Sequence, residues 1–183
     1  FRDQDVAVVG GANSAGQAAL FLSRSARQVT MLVRAGGLEP AMSQYLIDRI
    51  TVTSNIRVLT RVEVAAAHGQ QHLESIDVRH SDSGAIESLA MSAIFVFIGV
   101  APHTSAFSGF VHLDDKGFVV TGPDLRAEGI RWPLDRDPRL FETSVPGVFA
   151  AGDVRLDSMK RVASAVGEGA MAVYLVHRYL AAT

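Results

Sequence analysis

Residues 6–16 read Val-Ala-Val-Val-Gly-Gly-Ala-Asn-Ser-Ala-Gly, an apolar run that breaks at Gly10 and Gly11 and becomes a helical pattern from Ala15. A strand, a tight glycine turn and a helix start leave unpaired backbone N–H groups at the positive end of the helix dipole. A diphosphate can sit there without a basic side chain. Gly10-Gly11-Ala12-Asn13-Ser14-Ala15 follows the Gly-x-Gly-x-x-Gly/Ala spacing of dinucleotide-binding turns, with Ala12 in place of the glycine that lets backbone approach the diphosphate. The turn therefore reads as a dinucleotide site, the plainer alternative being a structural strand-to-helix bend. Arg34 closes the next apolar run. An acidic residue at that point would hold ribose hydroxyls, whereas a basic one accommodates a 2′-phosphate, so Arg34 favours NADP over NAD unless it is an ordinary solvated arginine. Gly99 ends a third apolar run, where an open α/β sheet admits its ligand or a glycine simply aids packing. Near the far end, Gly152-Asp153 places a carboxylate beside a glycine, suited to bonding a polyol hydroxyl.

These residues need a frame of strands and helices. Strand 6–9, helix 15–24 and strand 29–33 form a βαβ unit, whose strands should be parallel. Pro40 to Arg49 reads as a helix with Met42, Tyr45, Leu46 and Ile50 on one face, and Met42 and Ser43 fall close enough to Arg34 to line the same pocket. Runs at 56–59, 62–66, 73–80 and 85–91 alternate and read as a small β-meander. His68 and His72 have a metal-ligand spacing only on a helix, and the strand context with Gly69 argues against a metal. Ala93 to Ile98 reads as a strand buried on both faces. Beyond Phe107 come a hairpin (111–113 with 118–121), a loop from Pro123 to Pro138 anchored by Trp132, and a buried strand at 148–151. A last helix, 162–181, should bury Val162, Ala165, Val166, Val173, Val176 and Leu180, and its start can offer N–H groups to a second ligand.

Composition bounds the chemistry. With 183 residues and 48% apolar content the chain can build a core. A net charge of −2, with 17 Lys and Arg dispersed along the chain, carries no nucleic-acid signature. No apolar run approaches the roughly 20 residues that span a bilayer, so no membrane segment is expected. There are no cysteines, which points to a reducing, cytoplasmic setting and excludes disulfides within this segment. Phe1 reads as the middle of a longer protein.

Taken together, Val-Val-Gly-Gly-Ala-Asn-Ser-Ala-Gly-Gln-Ala-Ala, Leu32 to Arg34, Met42 to Ile47, Ile98 to Pro102, Glu142-Thr-Ser-Val-Pro-Gly-Val-Phe-Ala-Ala-Gly-Asp-Val-Arg155 and Lys160 to Gly169 resemble the thioredoxin reductase type of pyridine-nucleotide flavoproteins. The likeness extends over nearly the whole chain. It is nearest the branch often fused to a cyclic-nucleotide-binding or receiver domain. The resemblance implies an α/β fold. A Rossmann-like NAD(P)H domain with its meander would occupy residues 1–104, and the C-terminal half of a second, FAD-binding Rossmann-like domain residues 105–183. It implies FAD and NADP (or NAD) as cofactors. Gly10 to Gly16 would take the NAD(P)H diphosphate, Arg34 the 2′-phosphate, Gly99 the nicotinamide half and Asp153 the flavin ribitol. Lys160, Arg161 and Val162 would face the flavin edge that gains charge on reduction, the alternative being a solvated basic pair. Two departures stand out: Ala35 and Glu39 occupy places that carry further basic residues in NADPH-preferring relatives, and the redox Cys-x-x-Cys of the family would precede Phe1. The implied activity passes hydride from NADPH to FAD and on to a thioredoxin-like disulfide partner, in a homodimer when full length. A quinone or ferredoxin acceptor and a nucleotide-sensing module without turnover are the alternatives. A third reading is that the isolated segment, with half of its flavin domain, binds nothing firmly and is colourless when purified.

Overall fold

A computed structural model describes residues 1–182; the last residue of the 105–183 segment lies outside the described residues. The chain divides into two compact units, the first Phe1–Gly99 and the second from Val100 onward.

In the first unit β1 (Asp5–Val9), β2 (Gln28–Val33), β3 (Ile56–Thr60) and β7 (Ala93–Val96) form a parallel sheet in the order β3-β2-β1-β7. Strand periodicity of two sorts each side chain to a layer. Val6, Val8, Val29, Met31 and Val33 meet α1 (Asn13–Leu22) and α2 (Gln44–Val52) in one core. Ala7 and Leu32 point the other way, into a second core with Val62, Ile76 and Val78. Those three belong to an antiparallel sheet of β4 (Val62–His68), β5 (Ser75–His80) and β6 (Ile86–Ala90). The unit is thus layered as helices, parallel sheet and meander.

Residues 56–59 alternate like meander strands, yet β3 pairs with β2 at the edge of the parallel sheet. Alternation records that a strand is half buried, not which strand it pairs with. The expectation that residues 93–98 are buried on both faces fails: among the described residues β7 pairs with β1 alone, and Val96 and Ile98 are exposed. α2 starts at Gln44 rather than Pro40, and Tyr45 points to solvent with Arg49 donating to its hydroxyl (3.0 Å).

In the second unit regular structure is sparse: α3 (Asp124–Ala127), within the predicted 123–138 loop, and the long α4 (Val162–Leu180). Residues 111–121 turn back through a single antiparallel bridge, Leu113 to Val119, and Val119 also bridges Arg155 in parallel. The expected strand 148–151 is reduced to one bridge, Phe149 to Glu142, because no longer segment among the described residues lies alongside to complete a ladder. None of the α4 side chains is buried, and Val162, Val166, Val173 and Leu180 of its expected buried stripe are exposed. The buried hydrophobic residues of this unit include Val111, Val119, Val120, Leu125 and Phe141, and the polar Thr104, Thr121, Glu142 and Thr143 are buried too.

Candidate functional site

At the end of β1, Gly10 leaves the sheet at φ +137°. Its N–H still donates to Leu32 O (3.0 Å), and Phe97 N–H donates to Val9 O (2.7 Å). A Cβ on Gly10 would strike the Phe97 carbonyl, and one on Gly11 would lie 2.9 Å from Val33 Cγ1. Gly10 therefore needs glycine for conformation and for space, and Gly11 for space alone. Ala12 follows as the residue before α1, extended at φ −97° and ψ 177°, and its carbonyl accepts the Gly16 N–H (3.1 Å). No acceptor among the described residues takes the N–H groups of Asn13, Ser14 and Ala15, and the first turn holds no acidic side chain. A helix start left this way is a donor set for an anion.

Gly10, Gly11, Ala12, Arg34 and Gly99 line one cleft of about 660 Å³ over the carboxyl ends of the parallel strands. That size falls among ordinary ligand pockets. Gly99, at φ +91°, meets open space where a Cβ would stand. Asn13 and Ser14 occupy the exposed first turn, with Asn13 Oδ1 accepting the Ser43 N–H (2.8 Å). Ala15 is buried, its methyl 3.3 Å from where a Gly10 Cβ would be, so it seals the turn against the strand. Met42 is not a wall of this cleft: its Cε lies 2.8 Å from a Cβ built on Gly16, inside the helix layer. Pro40 and Ala41 line the cleft instead, and Val62, Glu63 and Val64 close it from the meander. The meander's contribution had no signal in the sequence, because residue spacing does not say how one sheet stacks on another.

In the second unit Gly152, at φ +81°, opens a short turn whose next residue is Asp153. Glu168 of α4 holds that turn, accepting the Gly152 N–H (2.7 Å) and the Arg155 guanidinium at two points (2.9 and 3.0 Å). Arg155 also donates to Thr121 Oγ1 (2.7 Å). The Arg155 guanidinium is the main cause of a Glu168 pKa below the ordinary glutamate value; burial opposes it and the Gly152 N–H assists. A Cβ on Gly152 would lie 3.3 Å from that of Ala165, so the Asp153 turn sits against the first turn of α4. Asp153 is exposed, and its carboxylate has no donor among the described residues. Arg161 and Val162 are exposed at the α4 start, whereas Lys160 is committed locally: Nζ donates to Arg155 O (3.0 Å) and Ser158 Oγ and lies 4.2 Å from the centre of the Phe118 ring.

A second clamp lies upstream. Glu142 is fully buried and accepts both Arg136 Nη1 (2.7 Å) and Nη2 (2.8 Å), with the Arg139 and Gly147 N–H groups at 2.8 and 2.9 Å. Burial alone would raise its pKa, but the Arg136 fork and the two backbone donors outweigh burial and leave it lowered. Glu142 and Glu168 were not singled out from the sequence. The available signal was a lone carboxylate in each case, one beside a Pro-Gly turn and one between two helix glycines.

A profile of the pyridine nucleotide-disulphide oxidoreductase family matches residues 1–169. Thioredoxin reductase from Streptomyces clavuligerus is 36% identical over 183 residues, covering 100% of this chain and 51% of that protein. The enzyme of the same name from Mycolicibacterium smegmatis is 34% identical, covering 99% of this chain and 53% of its own length. Among solved structures, Lactococcus lactis thioredoxin reductase superposes with a TM-score of 0.77 at 24% identity, over 100% of this chain and 55% of its own, a likeness of fold. The chain spans about half the length of the curated relatives it matches.

Proposed function

Because the chain belongs to the pyridine nucleotide-disulphide oxidoreductase family, we propose that residues 1–104 are an NAD(P)H-binding domain and residues 105–183 the C-terminal half of an FAD-binding domain. The whole protein is then a flavoprotein oxidoreductase using NADPH. The observation that carries this reading is the cleft in which Gly10, Gly11, Ala12, Arg34 and Gly99 meet. At one edge of it lies a helix start whose Asn13, Ser14 and Ala15 N–H groups have no acceptor among the described residues. Those donors fit a diphosphate, Arg34 fits a 2′-phosphate, and the open space at Gly99 leaves room for the nicotinamide half. When bound, nicotinamide and flavin supply the hydride chemistry. The residues of this chain bind and orient. Asp153 would accept from a ribitol hydroxyl, and Arg161 with the Val162 N–H, which has no acceptor among the described residues, would favour negative charge on a reduced flavin. Lys160 acts there through the Arg155–Ser158 turn that it ties down. The relatives named thioredoxin reductase support a disulfide of the thioredoxin type as the electron acceptor.

Two measurements test this. Calorimetric titration of the 183-residue chain with NADPH is expected to show one site, weakened by Arg34→Ala. With full-length protein, FAD and thioredoxin, steady oxidation of NADPH is expected. Absence of any nucleotide binding would overturn the first half of the reading. Flavin reduction without turnover on thioredoxin would overturn the acceptor.

A further inference from the structure

β3 ends at Thr60 and β4 begins at Val62, so Arg61 alone carries the chain from the parallel sheet to the meander. It does so at φ +56°, a conformation in which glycine would be less strained than arginine. Its backbone is tied on both sides: Arg61 N–H donates to Ala35 O (3.0 Å), and Ser81 N–H donates to Arg61 O (2.8 Å). This places the side chain on the loop that follows Arg34. Nε and Nη2 lie 3.3 and 3.6 Å from a Cβ built on Gly36, so the guanidinium covers a residue without a side chain. Nη1 donates to Asp82 (3.0 Å), but no acceptor among the described residues takes Nε or Nη2. Both members of the Arg61–Asp82 pair are more than half exposed, and an ion pair so open to solvent adds little to stability.

The neighbours of Arg61 and Gly36 line the cleft: Arg34, Ala35 and Gly37 from one loop, Val62 and Glu63 from the other. Carboxylates also crowd that rim. Glu39 lies against Gly37, and Glu63 is held only loosely by Arg79 at 3.5 Å. A phosphate brought there meets negative charge that Arg34 alone would have to offset. A second arginine with a free donor edge alters that balance, since the guanidinium fork matches a phosphate at two oxygens.

We propose that Arg61 is a specificity-determining residue of this cleft, forming with Arg34 the site of the ribose 2′-phosphate and so selecting NADP over NAD. The proposal rests on the nucleotide reading above. It is tested by titrating the 183-residue chain with 2′,5′-ADP and with 5′-AMP, which differ only in that phosphate. Arg61→Ala is expected to weaken 2′,5′-ADP roughly tenfold, the scale of one lost charged hydrogen-bonding group, and to leave 5′-AMP unchanged. Arg61→Lys should fall between, keeping the charge without the fork. Arg61→Gly relieves the left-handed backbone, so it should melt at or above the wild-type temperature while losing 2′,5′-ADP affinity as Arg61→Ala does. That separates a binding role from a folding one. Unchanged 2′,5′-ADP affinity, or equal loss for both ligands, would overturn the assignment of Arg61 and leave the nucleotide cleft standing. If the wild-type chain binds neither ligand, both readings fail.

Discussion

Gly10 and Ala12 sit two residues apart in the same turn and respond oppositely to one methyl group. At Gly10 the methyl meets the Phe97 carbonyl and the backbone is left-handed. Gly10→Ala is expected to cost about 1–3 kcal/mol, the usual range for a strained backbone position, and to abolish nucleotide binding as the turn moves. Ala12 already occupies an extended conformation open to any residue, at a helix start with no side-chain cap. Alanine is a poor residue there, and glycine is better by about 0.5–1 kcal/mol. Ala12→Gly should therefore raise the melting temperature slightly and bind NADPH at least as tightly, since it also clears the diphosphate's approach. Urea denaturation with parallel calorimetric titration checks both variants. An Ala12→Gly protein that binds more weakly would show that the alanine methyl contributes to the site.

Among elements, the second unit depends on ionic clamps where the first depends on layers. Glu142 and Glu168 both have lowered pKa values, through the Arg136 and Arg155 guanidinium groups and backbone N–H donors. A carboxyl whose folded pKa is lowered adds stability that is present above its unfolded value and lost as pH falls through the folded one. The second unit should therefore loosen below the ordinary glutamate pKa of 4.5. Circular dichroism of α4 against pH reads this out. Glu142→Gln, which weakens the Arg136 fork, should bring the loosening to neutral pH. The first βαβ segment was legible because its periodicity switches cleanly from two to 3.6 around a glycine pair. β3 was assigned to the meander because Ile56-Arg57-Val58-Leu59 alternates just as β4 to β6 do, and pairing partners leave no mark within a strand. The α4 stripe was read correctly as apolar, but its burial depends on what lies against it: Val162 is 83% exposed and Val166 68%. Val166→Gln should change stability by no more than about 0.5 kcal/mol, leave the helix content unchanged and lower binding of a hydrophobic dye. A large loss of helix would mean that Val166 is packed in solution. The cleft was half legible, since Gly10 to Ala12, Arg34 and Gly99 belong to strand ends while Val62 to Val64 reach it only through sheet stacking.

For the molecule as a whole, two units with different means of support imply two unfolding events. The first has a core on each face of its parallel sheet. In the second, Val111, Val119, Val120, Leu125 and Phe141 are the buried apolar residues, and Phe107, Phe110, Leu140 and Met159 are exposed. Burial of apolar area is the main source of stability, so the second unit should melt first. The cleft proposed to take the nucleotide lies wholly within residues 9–99, so a ligand bound there would stabilise the first unit alone. At a hundredfold excess over Kd that linkage is worth about 2.7 kcal/mol. Scanning calorimetry at neutral pH should show a lower transition that NADPH leaves in place and an upper one that NADPH raises. Acid below the ordinary glutamate pKa of 4.5 should lower the first of these as Glu142 and Glu168 take up protons. Asp5 and Asp77 of the first unit are also held below the ordinary value, by Arg27 and His68, but those partners are exposed, so the second transition should move less. A single transition that responds to both nucleotide and acid would mean that the units unfold as one, and stability measured on either would then report on the whole chain.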